Sequence, residues 1–286
     1  MSLLRLIDDS ELVAPTMVVA FDAWVDAGSA STLAVGALID DDAPIVAEFD
    51  ADRLYDYRAR RPTLDILDGR PTTLDWPRLL VRRTRLGERD VLVFSGPEPD
   101  FRWRELADDV VNFARQVEID QWISLGAIPA AVPHTRSVPI LGTESSPGLL
   151  LGDIEAGPRG RLRVPSAAIS MLDVAIAAAG IPALGYFAQI PHYVSGEYAP
   201  AAVALLEAVT RHLGVRVEAV SLRAEAEQLR TRLDTATTLD EKTRNYVKRL
   251  EEMVDEERLP AGDELISEIE RFLREQGNEP GHGQVH

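Results

Sequence analysis

Four short apolar runs, at residues 17–21, 91–94, 122–128 and 184–190, each break abruptly into a polar loop. Runs of this length are strands buried on both faces, and helical patterns follow three of them. That alternation of strand and helix predicts an α/β fold with a mostly parallel sheet between helical layers. The loops are unusual in content: Asp22-Ala-Trp24-Val-Asp26-Ala-Gly28, then Gly96-Pro-Glu98-Pro-Asp100-Phe-Arg102-Trp103, then Pro133-His134-Thr135-Arg136, then Pro191-His192-Tyr193. In an open parallel sheet such loops share the carboxyl edge, where ligands bind.

The helices are marked by their apolar spacing and caps. Residues 27–39 carry Leu33, Ala34, Ala37 and Leu38 at helical spacing, with Asp26 placed as the N-cap. Leu106, Val110, Phe113 and Val117 predict a second helix, with Asp100 as its cap. Ser166 is the expected cap of an Ala-rich helix ending at Gly180, and Pro200 suits the first turn of a helix ending near Gly214. Further strands are expected at 45–49, 139–143 and 161–164. Residues 53–83 form an antiparallel excursion on one sheet edge, with a hairpin turn at Asp68-Gly69.

The chain divides into an α/β/α core over 1–215, a charge-rich helical region over 216–276 and a Gly-rich tail, expected to be disordered, over 277–286. Within the helical region, Thr238 and Glu241 spell a capping box before Tyr246, Val247, Leu250 and Met253, and Leu265, Ile269 and Phe272 form a later stripe.

Composition excludes several chemistries. The net charge of −17 disfavours nucleic acid and anionic membranes as partners, and no run is long enough to span a bilayer. The acidic residues among the first leucines break any secretory core, so a cytoplasmic location is expected. There is no cysteine, hence no disulfide, thiolate site or cysteine nucleophile. Lys242 and Lys248 are the only lysines, which removes a P-loop, and neither a dinucleotide fingerprint nor a nucleophile elbow is present.

Candidate site residues come from the four loops: Asp22, Trp24, Asp26, Glu98, Arg102, Trp103, His134, Arg136, His192 and Tyr193. The two histidines could be ligands or acid/base groups in one crevice, or could brace tight loops next to proline. Asp22 and Asp26 with a histidine could hold a divalent metal, but no metal-ligand spacing supports it, and no metal or cofactor is expected. Glu98, Arg102 and Arg136 read as a salt bridge between loops. Arg58, Arg60 and Arg61 make a basic patch able to receive a partner's carboxylates, and loop tryptophans Trp24, Trp76 and Trp103 could pack beneath the loops or anchor an interface.

The ordered series Phe21-Asp22-x-Trp24-x-Asp26-Ala-Gly28, Tyr55-Asp56-Tyr57 with Arg61-Pro62, Trp76-Pro77, Gly96-Pro-Glu98-Pro with Arg102-Trp103, Leu125-Gly126-Ala127, Pro133-His134-Thr135-Arg136, Pro191-His192-Tyr193 and Tyr246-Val247 with Leu250-Glu251 resembles the proteasome assembly chaperone family, in its second-chaperone branch and actinobacterial type. Ala23 and Val25 depart from the usual Gly and Asn, and Gly157-Pro158-Arg159-Gly160 replaces a threonine of the family loop. The resemblance implies a phosphorylase/hydrolase-like α/β/α sandwich, a homo-oligomer with a trimer expected, and a non-enzymatic assembly role with a proteasome-related client. The rival readings are a small-molecule enzyme working near Asp22, Glu98, His134 and His192, and an ATP-dependent ligase. The lack of lysine in the core counts against the ligase.

Overall fold

The computed structural model describes residues 2–255 apart from 9, 23, 41, 153, 155 and 159, and of residue 255 the backbone only. The stripe at Leu265–Phe272, the tail over 277–286 and Arg159 lie outside the described residues.

In chain order the elements are β1 (Leu4–Leu6), β2 (Thr16–Asp22), a 3-10 turn (Ala27–Ser29) leading into α1 (Ala30–Gly36), β3 (Ile45–Phe49), α2 (Ala51–Leu54), β4 (Thr63–Leu67), β5 (Arg70–Asp75), β6 (Leu80–Leu86) and β7 (Arg89–Pro97). There follow α3 (Trp103–Gln116), β8 (Gln121–Ala130), β9 (Ile140–Glu144), α4 (Ala168–Ala178), β10 (Ala183–Pro191), α5 (Ala199–Leu213), α6 (Val220–Leu239) and α7 (Glu241–Asp255).

The main sheet has eight strands in the order β1-β3-β6-β7-β2-β8-β10-β9. Its four central strands, β7, β2, β8 and β10, run parallel and are the four apolar runs of the sequence. Antiparallel strands extend it on both sides. Alternate side chains feed two cores, as a strand's two-residue period requires. Met17, Val19 and Phe21 point to the side of α3 and α4, among Leu106, Phe113 and Leu172. Val18 and Ala20 point to the side of α1 and α5, among Ala34, Leu205 and Val209. The result is a three-layer α/β/α sandwich, with α6 and α7 added after α5. No described helix is long and apolar enough to cross a membrane.

Several local expectations are corrected. Residues 161–164 form no strand. The hairpin turn at Asp68-Gly69 is present, with both residues at positive φ, but β4 and β5 pair only with each other and stay outside the main sheet. Strand β6 is the member of that excursion that joins the main sheet, and it lies inside it, between β3 and β7, not on an edge. Asp100 does not cap α3, whose N-cap position is Arg102; instead its carboxylate accepts the Asp56 N–H at 2.8 Å. Ser166 does not cap α4. At α7 the cap is Asp240, accepting from the Lys242 and Thr243 N–H groups at 3.2 Å each, while the Thr238 hydroxyl bonds back to the Asp234 carbonyl.

One carboxylate lies between a helix and the sheet. Asp173 on α4 accepts from Trp122 Nε1 at 2.7 Å and from Ser124 Oγ at 3.1 Å, both donors on fully buried residues of β8. Burial pushes its carboxyl up to about 7, against the two hydrogen bonds that favour the charge. The folded state therefore holds a proton that the unfolded chain releases near 3.8, and stability falls as pH rises from about 4 through about 7. Asp173→Asn keeps the acceptor for Trp122 without the charge. We expect its gain in thermal midpoint over the wild type to be larger at pH 8 than at pH 5; an equal gain at both would rule out the buried charge as the cause.

Candidate functional site

The parallel register brings the four loops to one edge of the sheet. Asp22 at the end of β2 lies opposite Pro97 of β7, and Pro191 at the end of β10 lies opposite Ala130 of β8. Strand β2 pairs with β8 only as far as Val19↔Ser124 and then turns away. The chain comes back at Val25, whose carbonyl accepts the Ala127 N–H at 2.6 Å, and this places Asp26 beside β8. Gly126 permits that return, because a Cβ there would crowd the Val25 carbonyl oxygen at 3.1 Å, besides meeting the Phe187 ring at 2.6 Å.

Asp26 is buried, and it caps α1 from farther back than a usual N-cap. Its carboxylate accepts from Ser31 N at 2.7 Å, Ser31 Oγ at 2.6 Å and Thr32 Oγ1 at 2.6 Å. Burial raises its carboxyl above the ordinary range, and these hydrogen bonds act against that rise. Gly28 makes the intervening kink possible. It sits at φ +61°, and a Cβ would lie 2.8 Å from Tyr198 Cβ. Its carbonyl accepts the Tyr198 N–H at 2.8 Å, tying the entry of α1 to the entry of α5.

The two histidines belong to one cluster. Tyr193 Oη accepts the His134 backbone N–H at 2.8 Å and contacts His134 Nδ1 at 2.7 Å. Nε2 lies 3.3 Å from Asp234 Oδ1 of α6, without the alignment of a hydrogen bond. Burial lowers the His134 imidazole below its usual range, with Asp234 and Glu251 opposing that shift, and burial pushes the Tyr193 phenol up. His192 bonds the Ala130 carbonyl through Nδ1 at 3.0 Å and Tyr246 Oη of α7 through Nε2 at 3.0 Å.

Helix α7 therefore clasps both histidine loops. Beside the Tyr246 contact, Glu251 accepts from Thr135 Oγ1 and from Arg136 at 3.3 Å, while Val247 and Leu250 are buried. Tyr246 and Glu251 stand in the matched motifs of the sequence, but their helical spacing there reads only as a packing stripe. Asp234 carries no sequence signal.

The remaining candidates lie on the β7 side. Glu98 Oε1 accepts the Ala168 N–H at 2.6 Å and so caps α4 across 70 positions of chain. No Glu98–Arg102 bridge forms: Arg102 pairs with Glu105 of its own helix at 2.9 Å, and Arg136 pairs with Glu251. Trp103 opens α3, half-buried, with its indole N–H donated to the Pro99 carbonyl at 2.6 Å. Asp22 and Trp24 are exposed. Asp26 and His192 share the wall of a cleft of about 330 Å³ with Gly28, Ser195 and Tyr198; neither His134 nor Glu98 lines it.

Residues 20–237 match the model of the PAC2 family. No curated protein matches the chain. Among solved structures, a Corynebacterium glutamicum protein of unknown function is 30% identical with a TM-score of 0.83, over 89% of this chain and 97% of that one. A Mycobacterium tuberculosis proteasome-assembly chaperone homologue is 33% identical with a TM-score of 0.74, over 81% and 99%. A PAC2 family protein from Streptomyces avermitilis is 32% identical with a TM-score of 0.70, over 82% and 99%.

Two substitutions test these structural roles. Tyr193→Phe leaves the buried His134 amide and Nδ1 without partners, and we expect a loss of about 2 kcal/mol in urea unfolding. Glu98→Ala removes the cap of α4 and is expected to lose about 1 kcal/mol in the same measurement. Wild-type stability in either variant would remove the role assigned to that side chain.

Proposed function

The chain belongs to the PAC2 family, and from that premise we propose that it is a non-enzymatic assembly protein that works as a homo-oligomer, a trimer, on a proteasome-related client. Its location would be the cytoplasm. The observation that carries the reading is where the polar side chains of the loops go. Asp26 and Glu98 cap helices, Arg102 and Arg136 are ion-paired within the chain, and His134, His192 and Tyr193 join loops to each other or to α7. A nucleophile with an orienting base, the starting point for a catalytic assignment, does not emerge from this set. What the loops and α7 build is a braced end of the sheet, with Asp22 and Trp24 turned to solvent. A rigid surface with an exposed tryptophan suits docking to another protein, because indole buries much area at little entropic cost. The relative named as a proteasome-assembly chaperone homologue supports the choice of client class.

The test is purification of the native protein from its own cells under mild conditions, with mass spectrometry of what co-elutes. Proteasome subunits or their precursors are expected. Their enrichment should fall several-fold with Trp24→Ala. Recovery of the protein free of any proteasome subunit, with both variants alike, would overturn the client and the docking surface together.

A further inference from the structure

The hairpin of β4 and β5 has an apolar face that nothing among the described residues covers. Its ladder pairs Leu64 with Leu74 and Ile66 with Pro71 on one face, and Thr63 with Asp75 and Asp65 with Thr73 on the other. Every residue of both strands is exposed; Leu64, Ile66 and Leu74 remain 46%, 61% and 51% accessible. A two-stranded hairpin on its own is marginal in water, so a ribbon with one wholly apolar face needs a surface to lie on.

A matching surface lies at the foot of the hairpin. Tyr57 and Trp76 stack edge-on with ring centres 4.8 Å apart, and with Leu4 and Phe49 they line a cleft of about 770 Å³. Of the carboxylates there, Glu48 is engaged by Arg5 and Arg78 and Asp52 by the Tyr57 hydroxyl, while Asp50 is exposed at the N-cap position of α2 without a side-chain cap bond. Beside the cleft, Arg58 and Arg61 are exposed and have no carboxylate partner among the described residues, although the chain carries 47 acidic groups against 30 basic ones. The hairpin itself bears three aspartates, Asp65, Asp68 and Asp75, against the single Arg70. Its strands lead away from the foot and do not fill the cleft of their own chain.

We propose that the hairpin is an arm that seats its apolar face in the Tyr57–Trp76 cleft of a second copy of this chain, with Asp68 of its turn, the one aspartate outside the polar face, toward that copy's Arg58 and Arg61. This rests on the homo-oligomer reading and names its contact. Arm and seat are different surfaces of one chain, so the contact is head-to-tail and closes into a ring.

The experiment is light scattering on the full chain at micromolar concentration, with circular dichroism and thermal unfolding as fold controls. The wild type is expected at a multiple of 31.4 kDa. Ile66→Asp with Leu74→Asp should bring the mass to 31.4 kDa with the thermal midpoint of the dissociated body. Arg58→Glu with Arg61→Glu should dissociate the assembly as well, and adding Asp68→Arg to the same chain should restore it. An oligomer that survives the apolar substitutions overturns the arm while leaving the homo-oligomer intact. Dissociation by the apolar pair without charge-reversal rescue overturns the proposed seat. A wild type at 31.4 kDa defeats both readings, and the apolar face then belongs to a different protein.

Discussion

The structure depends on a ladder of four parallel strands that must be dry on both faces. A parallel strand cannot turn directly back to its neighbour, so each crossover runs over the sheet and its helix covers part of a face. This puts α3 and α4 on one side of β7, β2, β8 and β10, with α1 and α5 on the other. It also forces all four strands to end together. The polar residues that follow those ends meet at one edge, where the first N–H groups of α1 and α4 also need acceptors. Asp26 and Glu98 are drawn into capping by that geometry.

The strands and core helices were legible because their signal is local. Continuous apolar runs and 3.6-residue stripes survive in any context, and glycine and proline marked Gly180, Pro200 and Gly214 correctly as element ends. The caps were less legible. Asp100, Ser166 and Thr238 sit at suitable spacings, yet the groups that serve at α4 and α7 are Glu98, 70 residues from its amide, and Asp240. A cap needs only an oxygen near the first turn, and a tertiary neighbour can supply it as well as a local one. Strand β6 was hidden for a different reason: although it lies between β3 and β7, a strand reading Leu-Val-Arg-Arg-Thr-Arg-Leu has too little apolar alternation to declare itself.

The candidate site was legible as a set of residues and illegible as a set of roles. The loops named His134, His192 and Tyr193, but nothing local shows that Tyr246, Glu251 and Asp234 approach from helices later in the chain. Those approaches change the chemistry. A histidine facing solvent titrates near its ordinary value, whereas burial holds His134 below it.

The two additions to the sandwich illustrate opposite solutions to the same problem. Helix α7 is amphipathic and turns its apolar residues inward, so Val247 and Leu250 are buried and its polar residues reach the histidine loops. The β4–β5 hairpin is equally amphipathic, but its connections leave the body beside the cleft and carry its apolar face away from every buried core. Helix α7 is complete within one chain. The hairpin is not complete among the described residues: Leu64, Ile66 and Leu74 stay exposed, and a two-stranded ribbon gains stability only when such a face is packed against something.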